Sequence, residues 1–244
     1  DELTLALNGA RKYYSEWFRE FPWKELKLSE FPAMATYAQG FATNITFSEG
    51  IGFLTRQEKT GNAPFTVPAH EAAHQWWGNM LLPGKGPGGD LLSEGMSHFS
   101  TILLIEQVKG LSDRIEFCKR IEESYGDRRQ VDSEKAMQKI DGSKPGDTTV
   151  TYDKMGWVVW MLLHEMGRDN LLRGLHEFQL AYDDNPDHPG LQDFTAFLRP
   201  YAPDPTAYDA FIKQWFQEVV VPEYTLSDAK KKGTAQSFAV TVKV

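Results

Sequence analysis

The chain has almost no cysteine, no long apolar run and no excess of basic charge. Cys118 is the only cysteine among 244 residues. An intrachain disulfide is thereby excluded, and the redox compartment stays open. Within the helical pattern FCKRIEES, Cys118 reads as a small buried hydrophobe rather than a nucleophile. No apolar run reaches the ~20 residues that cross a bilayer. No signal-peptide pattern is visible, and the chain begins at Asp1 rather than Met. It is expected to be a processed form or a piece of a longer protein. The formal net charge is −8, with acidic and basic residues interspersed. Nucleic acid is therefore not an expected partner. Internal repeats and low-complexity tracts are also missing.

What is present suits a globular protein of one large domain, or one with a small appendage, at 41% hydrophobic and 25% charged residues. The most informative stretch is HEAAHQWWGN, His70 to Asn79. It contains His-Glu-x-x-His as His70, Glu71 and His74. On a helix, residues four apart lie one turn above each other on one face. Both imidazoles can then reach one ion, and Glu71 can reach a water on it. Zinc takes nitrogen and oxygen ligands near tetrahedral geometry, with one position left open in a catalytic site. Pro68, placed just before the stretch, and the Ala-rich sequence fit a helix there.

A third protein ligand is needed, and Glu94 in LLSEGMSHFS is the candidate. It opens an apolar stretch, 94–108, that reads as a second helix. The glycines at 84, 86, 88 and 89, with Pro83 and Pro87, form a loop that lets this helix return beside the first. The oxyanion of a tetrahedral intermediate also needs a donor, and a neutral tyrosine hydroxyl suits it. Tyr152, in TYDKMGWVVWML, is the candidate. Taken by itself, it reads as a helix-start tyrosine held for packing. His98, one turn past Glu94, reads either as support for a ligand or as a packed helix residue. Asn79 and Asp90 are candidates to orient His70 or His74 through hydrogen bonds. Trp76 and Trp77 read as packing for the helix, and His164, His176 and His188 as structural or exposed.

HEAAHQWWGN followed by SEG resembles the zinc aminopeptidase family of aminopeptidase N and leukotriene A4 hydrolase. The family pattern is HExxHxWxGN and then a glutamate in an NEG context. Here Ser93 replaces the asparagine, and the spacer is one residue longer. The stretch at Tyr152 is similar to the family's YEKG, with Gly156 one residue late. The resemblance implies a gluzincin catalytic domain of a divergent, bacterial-type member with one catalytic zinc. In it His70, His74 and Glu94 would bind the metal, Glu71 would be the general base and acid, and Tyr152 would stabilise the transition state. The family also anchors the substrate's α-ammonium through the glutamate of a GAMEN segment on an edge strand. No GAMEN is present here. TFSEGIGFLT, residues 46–55, can be laid on that region with Glu49 at the glutamate. A second register lays GFATN, residues 40–44, on it with Thr43 there. Ser-Glu-Gly is also ordinary turn chemistry. The Glu49 register is preferred.

The expected fold is α+β: a thermolysin-like zinc peptidase domain with a small sheet and then a mostly helical lobe. The catalytic domain is placed at 1–221, with the sheet at about 26–68 and the lobe at 69–221. A tail, 222–244, carries a strand and reads as the start of a further β-region. The expected elements are an amphipathic helix over 5–19, a strand over 26–31, strand-like sequence over 37–55, and a short strand just before the metal helix. A charged surface helix follows over 111–125, with Ile115, Cys118 and Ile121 inward. The apolar helix 151–167 is expected to be central, and three more helices come after it. The expected function is a zinc-dependent metallopeptidase, an aminopeptidase acting on peptide substrate. The alternatives are a zinc endopeptidase or other hydrolase without amino-terminal selectivity, and an inactive peptide-binding or regulatory domain of a larger membrane protein. The expected partners are other domains of a longer chain, with membrane segments among them. The unusual GAMEN region resembles bacterial peptidase domains attached to transporter permeases, which would make this a domain of a membrane-associated protein.

Overall fold

A computed structural model describes residues 1–52, 62–129, 134–183, 186–221, 227–233 and 238–243. Helix α1, Glu2–Trp17, opens with the Asp1 carboxylate accepting from the Thr4 amide at 3.1 Å. Three strands follow: β1 Lys27–Phe31, β2 Ala38–Phe41 and β3 Asn44–Ser48. They form one sheet in the order β1-β3-β2, with β1 parallel and β2 antiparallel to β3. A short helix, α2, spans Glu49–Gly52.

Helix α3, Ala63–Ala73, carries most of the central motif. It begins earlier than the sequence pattern implies. The β-branched Thr66 and Val67 ahead of Pro68 read as a strand, but they form the second turn of this helix. A proline inside a helix costs roughly 3 kcal/mol. Burial of Phe65, Pro68, Ala69 and Ala72 offsets that cost, since a buried phenylalanine alone contributes about 1.5–3 kcal/mol. The carbonyls of the last turn would be left without partners. Here the following segment supplies them: the Gln75 amide donates to the Ala72 carbonyl, and the Trp76 and Trp77 amides donate to the Ala73 carbonyl.

The lobe then builds up around two helices. A wide π-turn, Leu91–Gly95, leads into α4, Met96–Lys109. Helix α5, Leu111–Arg128, lies across it and buries Cys118 and Ile121. Ile115, expected inward, is 39% exposed. A short helix α6, Asp147–Thr149, and a second π-turn, Val150–Lys154, lead into α7, Met155–Met166. Helix α7 is central as expected and stops at Gly167, whose φ of 80° suits glycine alone. Helices α8 Arg168–Ala181, α9 Leu191–Leu198 and α10 Pro205–Ile212 complete the lobe. One apolar core runs through all of it, with Phe65, Trp76, Trp77, Phe99, Val159 and Phe178 fully or almost fully buried. The tail is a two-stranded antiparallel ribbon, β4 Ser227–Gly233 with β5 Phe238–Lys243. The expected strand in the tail is β5; its partner β4, a lysine-rich segment, lacks the alternation that marks strands. Among the described residues, no helix is long and apolar enough to cross a membrane.

Candidate metal centre and active-site cleft

The motif helix is held from both sides. The Tyr14 hydroxyl of α1 donates to the Ala69 carbonyl at 3.2 Å, and its ring meets Trp76 edge-on at 5.4 Å. On the other side, β2 lies against α3. A Cβ on Gly40 would sit 2.4 Å from the Glu71 carbonyl oxygen, so only glycine permits this approach. Gln75, fully buried, fastens the β2–β3 hairpin. It accepts from the Thr43 amide at 2.8 Å and donates to the Phe41 carbonyl at 2.9 Å. Thr43 needs that restraint, since its φ is 64°. The Asn79 amide nitrogen donates to the Gly40 carbonyl at 3.1 Å and the His74 carbonyl at 2.9 Å. Edge strand β2 is thus fixed along one rim of a cleft.

The cleft has a volume of about 570 Å³ and is lined by His70, Glu71, His74, Glu94, His98 and Tyr152, with Ala38, Gln39 and Gly40 on the β2 rim. Nε2 of His70 and Nε2 of His74 each lie 3.1 Å from one oxygen of Glu94. The three potential ligand atoms lie within 4.8 Å of one another. A tetrahedral ion with bonds of about 2.0–2.1 Å holds its ligand atoms about 3.4 Å apart. Two imidazoles and one carboxylate at this separation fit zinc.

Electrostatics bind the trio together. Burial by itself would raise the Glu94 carboxyl, but His70 and His74 outweigh it and hold the group well below the usual range. Burial would lower His74, but Glu94, Glu71 and the Trp77 carbonyl outweigh it and raise the imidazole. Nδ1 of His74 lies 3.0 Å from the Trp77 carbonyl oxygen and 3.1 Å from Ser97 Oγ. The Ser93 hydroxyl also donates to that carbonyl at 3.1 Å. A proton on Nδ1 directed at the carbonyl leaves the Nε2 lone pair for a metal. Sequence reading missed Ser97 and Gln75. Ser97 lies one turn after Ser93, on the face of α4 that α3 covers, and only the helix pairing exposes its role.

Glu94 and Tyr152 both stand in π-turns, and these two turns pack together through Gly95. A Cβ there would come within 2.2 Å of Met155 Cγ and 2.8 Å of the Thr151 carbonyl. Tyr152 stacks on His70 at 5.8 Å between ring centroids. Burial, reinforced by Glu94, raises its hydroxyl pKa, so it stays protonated as a donor. Burial, with a smaller push from His70, takes the His98 imidazole down to about 3, so it stays neutral.

The other candidates lie elsewhere. Glu49 opens α2, and its carboxylate accepts from the Ala33 amide at 3.0 Å; it does not line the cleft. Its position follows from the sheet: pairing of β3 through Ser48 ends the strand one residue before it. Thr43 is also off the cleft, in the hairpin turn. Asn79 acts on the His74 backbone rather than on an imidazole, and exposed Asp90 makes no hydrogen bond to either ring. Trp76 and Trp77 are wholly buried packing residues. His176 Nδ1 is bonded to the Phe18 carbonyl, and burial pushes the Cys118 thiol up to about 11, which makes it inert.

No family model matches the chain, and no curated protein matches it. Solved structures do. An M1 zinc metallopeptidase from Deinococcus radiodurans superposes with a TM-score of 0.67 at 16% identity, over 91% of this chain and 45% of that one. A mutant of the same enzyme, bound to a Tyr-Ser-Ala substrate, matches with a TM-score of 0.67 at 15% identity. Legionella pneumophila aminopeptidase A, in complex with aspartic acid, matches with a TM-score of 0.69 at 18% identity, over all of this chain and 27% of that one. The chain thus spans less than half the length of these neighbours. At such identity the likeness is one of fold: this chain, a mixed structure of helices and small sheets, is similar in fold to M1 zinc metallopeptidases.

Proposed function

We propose that this chain is the catalytic domain of a zinc-dependent metallopeptidase in the family of aminopeptidase N and leukotriene A4 hydrolase, with a thermolysin-like core over 1–221. The observation that carries the reading is the convergence of His70, His74 and Glu94 in one cleft with Glu71 and Tyr152. His70, His74 and Glu94 would hold the zinc, which when bound supplies Lewis acidity and a water acidified towards a pKa of ~7. Glu71 accepts the proton of the attacking water on its carboxylate and passes it to the leaving amine. The Tyr152 hydroxyl donates to the developing oxyanion. The Trp77 carbonyl holds the His74 tautomer that this arrangement requires. The test is Glu71→Gln. It should retain stoichiometric zinc by elemental analysis while peptide turnover falls by about 10²–10⁴-fold. Turnover undiminished in that variant would sink the assignment, and a chain with zinc but no turnover at all would be the inactive binding domain.

The finer reading is an aminopeptidase, supported by the aminopeptidase among the structural neighbours. It assigns Glu49 to the substrate's α-ammonium. A second reading, a peptidase without amino-terminal selectivity, is favoured by the engagement of the Glu49 carboxylate with Ala33, off the cleft. Relative turnover of free and N-acetylated peptides separates them. A strong preference for the free amine that Glu49→Ala abolishes supports the first; equal turnover of both supports the second.

A further inference from the structure

One end of the cleft takes no part in this chemistry. Val67 lies one turn before His70 on α3, and Thr101 lies close to one turn beyond His98 on α4; both line the cleft. His98 meets His70 at 5.7 Å between ring centroids, which sets this end beyond the metal ligands on the His70 side. Phe117, from α5, closes it with its ring 5.4 Å from His98. All four line this end of the cleft, which Val67 and Phe117 make apolar.

The Thr101 hydroxyl is donated to the Ser97 carbonyl at 2.9 Å, which leaves His98 as the polar group of interest there, and its ring orientation can be read atom by atom. Nε2 is sealed from solvent and has no hydrogen-bond partner among the described residues. The Asp153 Oδ1 carboxylate oxygen stands 3.9 Å from it. The other Asp153 oxygen accepts the Ser124 hydroxyl at 2.8 Å, which fixes the carboxylate. Cδ2, on the same ring edge, faces Gly156 of α7, where an added Cβ would approach to 3.0 Å. The Nε2–Cδ2 edge is therefore turned into the protein and the Nδ1–Cε1 edge towards the cleft. A fixed carboxylate beside Nε2 favours the proton on that nitrogen. Nδ1 is left as a bare acceptor at the cleft wall.

We propose that Val67, His98, Thr101 and Phe117 form a side-chain subsite, in which His98 Nδ1 accepts a hydrogen bond from a short donor-bearing substrate side chain such as serine or threonine. The inference rests on the peptidase reading and adds a substrate preference to it. A site built around an acceptor discriminates against an isostere that lacks the donor, because the acceptor is then buried unpaired. Threonine and valine are such a pair.

The test uses the zinc-loaded Glu71→Gln chain, in which the expected fall in turnover lets peptide binding be measured. The probes are alanine pentapeptide amides, each with a free and with an acetylated amino terminus, carrying one threonine or one valine at successive positions. At one position the threonine peptide should bind about tenfold tighter than its valine twin by calorimetry. His98→Phe, which keeps the ring packing, should abolish that ratio. His98→Asn, whose amide oxygen can stand near Nδ1, should keep part of it. Nitrogen NMR of His98 should show the proton on Nε2, and a shift of Nδ1 when the threonine peptide binds. Equal affinities at every position, a ratio that survives His98→Phe, or a proton on Nδ1 overturns the subsite. Each of these results leaves the peptidase reading standing if zinc is bound and Glu71 supports turnover in the parent chain. No peptide binding by the zinc-loaded chain overturns both.

Discussion

At the scale of single residues, the site depends on which groups keep or lose a proton. Tyr152 stays protonated because burial and the nearby Glu94 oppose its ionisation. Tyr152→Phe removes one donor and leaves the ring stacked on His70. It should lower kcat by about 10²–10³-fold with little change in KM, as removal of an oxyanion donor does elsewhere. Steady-state kinetics on one peptide checks this. Glu134 is a second case, away from the cleft. Its side chain is 4% exposed and accepts from Tyr125, Arg129 and Lys154. Burial would raise its pKa, but Lys154, Tyr125 and Arg129 lower it. A depressed carboxylate stabilises the fold fully above its unfolded value and loses that contribution as pH falls through the folded one. Glu134→Ala should cost about 3–5 kcal/mol at neutral pH in urea unfolding, because Lys154 is left buried without its counter-charge. The deficit should shrink below pH ~4.5. Lys154 belongs to the π-turn that carries Tyr152, so kcat should fall with stability.

At the scale of elements, the two π-turns and the β2 rim set the geometry. Gly95 is the contact point of the turns, and any side chain there meets Met155 and the Thr151 backbone. Gly95→Ala should destabilise the fold by about 1–3 kcal/mol through overpacking and lower kcat by displacing Tyr152. Denaturant unfolding and kinetics on the same variant check both parts. The elements were legible in the sequence where one segment decides its own structure. The spacing of His70 and His74 needs only a helix to bring them together. The bounds of α9 follow from its apolar pattern, Leu191 to Leu198. The position of Glu49 was not legible, because the pairing of β3 with β1 and β2 decides it, and no local pattern encodes that register. The same holds for Gln75, whose partners Phe41 and Thr43 are more than thirty residues away. Thr66 and Val67 misled for the opposite reason: local preference favoured a strand, and packing of Phe65 and Ala69 against α1 and the core overrode it.

At the scale of the whole molecule, the proposed ligands come from different parts of the chain, so metal binding there would be coupled to folding. His70 and His74 stand at the end of α3 and Glu94 at the start of the lobe. Zinc bound only by the folded chain should stabilise it by about 4 kcal/mol at a thousandfold excess over Kd, visible as a higher Tm that chelation reverses. The raised His74 pKa sets the pH dependence of this effect. In the metal-free chain, the protonated His74 stabilises the fold fully below pH ~6.5, and that contribution is lost as pH rises through its higher folded value. Protons and zinc therefore compete, and the rise in Tm with zinc should be larger at pH 8 than at pH 6. Melting curves with and without chelator at the two pH values check the sign.

The paired π-turns also bear on how such chains are recognised. A π-turn, bonded from i to i+5, holds one residue more than an α-turn. It is a single-residue insertion that leaves the flanking helices in place. Against the family pattern, this chain is one residue long before Glu94 and one residue late at Gly156, and each discrepancy meets a π-turn. A pattern of fixed spacing is out of frame at both points, while the folded side chains still converge. The likeness in fold is carried by the three-dimensional arrangement of the residues more than by their count along the chain.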